Sequence, residues 1–161
     1  MKKLAVILIA FLVFSLNAEA QEIADHALGL RLGDNDGIGA EVNYQLGLSD
    51  TNRLEFGLGW RSRDKVNVIK VTGLYQWVWR LDGNLNWYVG GGGGLAQVSF
   101  DNDFPGDPDN ETFVFVAGDI GIEYDFDIPI LISLDFRPEL GLGDYGDDID
   151  FDIAFGIRYQ F

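Results

Sequence analysis

Beyond residue 20 the chain has no helical period. Apolar and polar side chains alternate one by one, as in a strand whose two faces meet unlike surroundings. The final segment shows this most clearly: Phe151, Ile153, Phe155, Ile157, Tyr159 and Phe161 share one face, and Asp150, Asp152, Ala154, Gly156, Arg158 and Gln160 share the other. Ile38, Ala40, Val42, Tyr44, Leu46 and Leu48 are set in the same way against Gly39, Glu41, Asn43, Gln45 and Gly47. Residues 28–32, 54–60, 69–79, 116–124 and 130–136 repeat the pattern, and the glycine-rich stretch from Leu85 to about Phe100 reads as a strand of ambiguous facing. Turn-forming clusters separate the segments, among them residues 34–37, 49–52, 62–65, 82–84, 101–112, 127–129 and 143–148, rich in the Asp, Asn, Gly and Ser that bend a backbone. Eight strands joined by seven short links predict a single domain, an all-β, antiparallel, up-and-down barrel.

Alternation alone allows two barrels. One is a soluble, lipocalin-like barrel with its apolar face turned inward around a small ligand. The other is its inside-out counterpart, an eight-stranded transmembrane β-barrel. The non-apolar face consists mainly of Gly, Ala and charges of both signs, which suits an interior only just wide enough for side chains. Trp60, Trp77, Trp79, Phe151 and Phe155 would overfill that interior. The aromatics also collect at strand ends. Trp77, Trp79, Trp87, Tyr124, Phe126, Tyr159 and Phe161 fall at one end, and Trp60, Phe100 and Phe113 at the other. Two such girdles are selected by the two interfaces of a bilayer. The last strand is complete at Phe161, which fits closure onto the first, since open edges are costly in lipid.

The first 20 residues differ from the rest. Lys2 and Lys3 precede an apolar run from Leu4 to Leu16, and Ala18-Glu19-Ala20 offers small residues where a signal peptidase reads. This pattern is that of a secretory signal cleaved before Gln21. The run is shorter than the roughly 20 residues a spanning helix needs. Residues 21–161 are then the barrel.

The chain has no cysteine, which excludes thiol catalysis, disulfides and cysteine metal sites. Its formal charge of −15 falls to about −16 once Lys2, Lys3 and Glu19 are removed, so it is no partner for nucleic acid. Such acidity often accompanies disorder, but 47% hydrophobic and 14% aromatic residues leave much to bury.

Gly156-Ile157-Arg158-Tyr159-Gln160-Phe161 resembles the C-terminal signal of the small OmpA/OmpX-type outer-membrane barrels: Gly156, then aromatics at Tyr159 and Phe161. Ala154 stands where that family prefers a polar residue. Leu134-Asp135-Phe136-Arg137-Pro138 is similar to the family's seventh strand. The resemblance spans residues 21–161. It implies a porin-like fold in the outer membrane of a Gram-negative bacterium, reached through the general secretory pathway, periplasmic chaperones and the barrel-assembly machinery. It implies no particular activity, because the family hosts many.

Several clusters invite chemistry. Arg31, Glu41, Glu55, Lys70, Asp119, Glu123, Asp135, Arg137 and Arg158 all fall on the inward face. They form either an ion-pair network filling the lumen, since buried charges persist only when paired, or the lining of a narrow small-solute pore. Gly90 to Gly94 lacks the Lys-Ser/Thr of a phosphate loop and reads as room for neighbouring side chains. Asp101, Asp103, Asp107, Asp109 and Glu111 form an acidic loop, but Pro105 and Thr112 occupy positions at which a helix-loop-helix calcium site needs ligands. They predict at most weak divalent-cation bridges to lipopolysaccharide phosphates. His26, the only histidine, has no Ser beside it in sequence to activate. The chain therefore reads as a non-enzymatic monomer without a cofactor, serving envelope integrity or surface interaction among outer-membrane lipid and lipopolysaccharide.

Overall fold

The computed structural model describes residues 23–34, 38–63, 66–100, 111–142 and 149–161. Eight strands follow in chain order: β1 (His26–Asp34), β2 (Ile38–Ser49), β3 (Asn52–Arg63), β4 (Val66–Asp82), β5 (Leu85–Phe100), β6 (Glu111–Asp125), β7 (Ile130–Leu142) and β8 (Ile149–Gln160). Each pairs antiparallel with the next, and β1 pairs with β8 from Ala27↔Gln160 to Gly33↔Ala154, so the barrel is closed. The main-chain bond from Phe161 N–H to the His26 carbonyl, 2.9 Å, extends this seam by one residue. Closure satisfies the edge N–H and C=O groups that an open sheet would leave bare.

The turns at the end bearing the chain termini are tight. Asp50-Thr51 and Gly83-Asn84 link their strands, with register shifts beside them at Gly47/Ser49 and Arg80/Asp82. Gly83 adopts φ +54°, in the left-handed region where lack of a Cβ removes the steric penalty. At the opposite, far end the strands run further than their periodic cores. Ser62 and Arg63 continue β3 and pair with Asn67 and Val66, where turn chemistry alone predicts a bend. The β4–β5 ladder runs from Val66↔Phe100 to Asp82↔Leu85 and makes the tallest wall. Pro138 lies in β7 without a partner in β6: no pair joins Gly118 to it, and the ladder resumes at Ala117↔Glu139 and Ile120↔Phe136. A proline has no N–H to offer there.

Facing is the decisive property. Leu28, Leu30, Phe56, Leu58, Val71, Ile122, Leu134, Ile153 and Phe155 are all exposed, typically by about half their surface (47% for Leu30, 48% for Phe155), while Arg53, Arg137 and Arg158 are almost fully buried at 1–2%. β5 takes the parity of its neighbours: Asn86, Tyr88 and Ala96 are buried inside and Leu95 is exposed outside. The aromatic girdle at the termini end is present, with Tyr75 against Trp77, Trp79 stacked on Trp87, and Tyr124 against Phe126. At the far end Trp60 is exposed and Phe151 stacks on Phe136. Phe113 is a correction: it shares the inward parity of Phe115 and packs against the buried cluster of Leu74, Ala96, Phe115 and Ala117, so it is no member of the outer girdle. The side chain of Phe100 lies outside the described residues.

Candidate functional site: the barrel lumen

Inward positions of seven strands, all but β5, converge on a set of ion pairs. Nearest the termini, Arg53 holds Glu123 through two parallel bonds of 3.1 and 2.7 Å and donates Nε–H to Gln76 Oε1 at 2.6 Å. Gln76 in turn donates to Asp119. The Arg53 guanidinium also lies 4.9 Å from the Tyr88 ring centroid, close enough for a cation–π contact.

Glu55 is the hub of the middle layer. One oxygen accepts from Arg137 at 2.9 Å; the other accepts from Arg158 at 3.1 Å and from the Gln45 amide at 2.7 Å. Arg137 reaches Glu41 at 3.3 Å, and Arg158 donates to Ser133 Oγ at 2.7 Å. Arg31 bridges β7 and β8, donating Nε–H to Asp135 at 2.9 Å and Nη1–H to Asp152 at 2.6 Å. Lys70 Nζ sits 2.7 Å from Glu139 and 5.5 Å from the Phe115 centroid. In a region with little water such charges persist because each meets its opposite.

Every inward charge singled out by alternation is therefore placed in this network: Arg31, Glu41, Glu55, Lys70, Asp119, Glu123, Asp135, Arg137 and Arg158. Arg53, Asp152, Glu139 and Tyr88 belong to it as well and escaped that list. The signal for Arg53 was present: it precedes Leu54 and so takes the opposite face. Tyr88 was hidden by the ambiguous facing of the glycine stretch.

Glycines opposite the large lumen side chains make this density possible. A Cβ at Gly121 would lie 2.5 Å from the Tyr88 ring, and one at Gly94 would lie 2.7 Å from the Phe115 ring. At Gly90, Gly92, Gly93 and Gly94 the atoms nearest to such a Cβ are main-chain carbonyl oxygens of Tyr75, Gly73, Phe115 and Val71, so this stretch also lets the backbones of β4 and β6 come close.

Above the middle layer the lumen opens. A cavity of about 200 Å³ lies at the far end, with Arg31, Glu41, Arg61, Lys70, Glu139 and Asp152 around part of its wall and Val68, Ala96, Val98, Phe113 and Phe115 around the rest. At the termini end a cavity of about 10 Å³ lies between Ala27, Arg53, Val78, Glu123 and Leu131.

The acidic-loop residues Asp101, Asp103, Asp107 and Asp109 lie outside the described residues, and Glu111 begins β6 as a half-buried side chain. Among the described residues no group of carboxylates and imidazoles is arranged to hold a metal ion. His26 lies on the outer aromatic ring: its Nδ1 is 2.7 Å from the Tyr44 hydroxyl and its ring stacks on Phe161 at 5.5 Å. Gly156 faces the lumen, whereas Tyr159 and Phe161 are exposed outside with their rings stacked at 6.3 Å.

No family model matches this chain, and no curated protein matches its sequence. Solved structures do match its shape. The N-terminal β-barrel domain of Pseudomonas aeruginosa OprF superimposes with a TM-score of 0.71 at 16% identity, covering 89% of this chain and 100% of that one. Neisserial surface protein A gives 0.65 at 10% identity, covering 84% and 94%. The attachment invasion locus protein Ail of Yersinia pestis gives 0.58 at 13% identity, covering 88% and 99%. The fold is that of the small eight-stranded outer-membrane β-barrels, the OmpA/OmpX type.

Proposed function

We propose that this chain is a non-enzymatic integral protein of a Gram-negative outer membrane, exported with removal of residues 1–20. Its barrel acts as a closed membrane element serving envelope integrity or surface interaction. The observation behind this reading is the inverted facing: a continuous apolar exterior around a core of paired charges. In water that exterior would be unstable, whereas hydrocarbon accommodates it and the lumen supplies the polar interior. A lipocalin-like soluble barrel requires the opposite facing. The narrow-pore reading is weakened by the layer from Arg53 to Arg158, which crosses the lumen between the far-end cavity and the termini end.

Fractionation tests this directly. The protein is expected to stay with the outer-membrane pellet through carbonate washing and to change gel mobility on boiling. Recovery in the soluble periplasmic fraction would overturn the proposal.

A further inference from the structure

The far-end cavity has two unlike walls. On β4, β5 and β6 Val68, Ala96, Val98, Phe113 and Phe115 give it an apolar stretch, with Lys70 of β4 beside them. Apolar side chains also lie inside at Val78 and Leu131, but at the termini end, away from this cavity. Beside it stands Arg61, which pairs in register with Val68, itself paired with Val98. Cross-strand neighbours on one face lie about 5 Å apart, so the guanidinium-bearing residue and the apolar row share one rung of the barrel.

Among the described residues Arg61 differs from Arg31, Arg53, Arg137 and Arg158 in its ion pairing rather than in its Nε, since the Nε of Arg137 and of Arg158 is likewise unbonded. Its Nε is buried without a hydrogen-bond partner, and none of the ion pairs among the described residues reaches its guanidinium. It rests against Gly39, where a Cβ would come within 3.0 Å of Nη2. A partly buried cation without a counter-charge is costly, and its most effective relief is an anion. Lys70, two residues along from the Val68 rung, already has Glu139.

We propose that this vestibule binds a small amphiphilic monoanion, a carboxylate or sulfonate on a compact apolar body. Arg61 holds the head, and Val98, Phe113 and Phe115 receive the body. The volume sets the size. An apolar cavity of roughly 150 Å³ accepts benzene, so about 200 Å³ fits one ring with a short acidic arm and excludes a whole lipid. The strong negative charge of the chain, −15 overall, disfavours polyanions and leaves a single charge backed by apolar contact. This site goes beyond the membrane role and does not depend on it, because it lies inside the barrel.

The test uses the chain folded in phosphatidylcholine nanodiscs, titrated with phenylacetate and followed by NMR. Saturable shifts are expected at Val68, Ala96 and Val98 and not at Ala27 or the outward Leu28; shifts at Leu28 alone report partition into lipid and count against the site. Phenylacetate should bind at least tenfold more tightly than phenethylamine. Arg61→Gln should weaken it about tenfold or more, and Ala96→Leu, which fills the cavity without changing charge, should abolish it. Equal binding of phenethylamine, full binding by Arg61→Gln, or no saturable shift at these residues would each overturn the proposal.

Discussion

Glu55 shows what a buried charge does at the scale of one residue. It accepts from Gln45, Arg137 and Arg158, three side chains from β2, β7 and β8. Removing its charge takes from Arg158 its carboxylate partner and leaves Arg137 with the longer contacts to Glu41 at 3.3 Å and Asp119 at 3.9 Å. Glu55→Gln is expected to destabilise the barrel by about 3–5 kcal/mol, the usual consequence of breaking one side of a buried pair. Urea unfolding of the protein in lipid vesicles measures this. The double replacement Glu55→Gln/Arg158→Met should be less destabilised than the sum of the two single changes, since the partners are lost together. Strict additivity would show that Arg158 and Glu55 are not coupled. Gly121 sits at the same scale. A methyl there meets the Tyr88 ring and hydroxyl and the Leu134 carbonyl, so Gly121→Ala should slow or prevent folding, whereas Gly121→Ala with Tyr88→Leu should regain much of the loss. Heat-modifiable gel mobility reads both.

At the scale of the strand, facing can be tested by paired substitutions. Phe155 stands midway along β8, exposed and flanked across the ladders by Leu32 and Leu134. Phe155→Arg should cost about 2–4 kcal/mol, as a charge at the midplane does. The lumen control has to be chosen from structure. Gly156 faces inward, but a Cβ there comes within 2.5 Å of Ser133 Oγ and 2.8 Å of Arg158 Nη1. Gly59, which borders the far-end cavity and has its nearest neighbour at 3.8 Å, is the better site. Gly59→Ser should insert into liposomes as the unchanged chain does while Phe155→Arg does not. Equal tolerance of both would contradict the assigned faces. Strands such as β8 and β2 were legible in sequence because each presents an unbroken alternation. β5 was not, since five consecutive glycines carry no side chain to report a face; its parity follows from pairing with β4 and β6. Phe113 was misplaced for a related reason. Its position at a strand end suggested an interface, but two-residue periodicity ties it to Phe115 and Ala117 on the inward side.

For the molecule as a whole, the network spans the lumen, with a cavity of about 10 Å³ on its termini side. Reconstituted into planar bilayers, the barrel is expected to show no steady conductance. Persistent ionic current would mean that the layer around Glu55 and Arg53 opens, and the closed-element proposal would fail. The far-end cavity is compatible with this, because it ends on that layer.

The alternation of residue types by itself determined the number of strands, their antiparallel order and the face that turns outward. These follow from a local rule: successive side chains point to opposite sides, and one medium accepts grease while the other accepts charge. Sequence also marked most of the charges that go inside, though not Arg53, Glu139 or Asp152. Which of them touch was decided only by closure of the barrel. Arg53 and Glu123 are 70 residues apart in the chain, and Arg31 and Asp152 are 121 apart; such pairs exist because tilt and register bring distant strands to one height. The same closure set Arg61, which no ion pair among the described residues reaches, beside an apolar wall, a juxtaposition that depends on how three-dimensional volume is shared among side chains and that no linear pattern encodes.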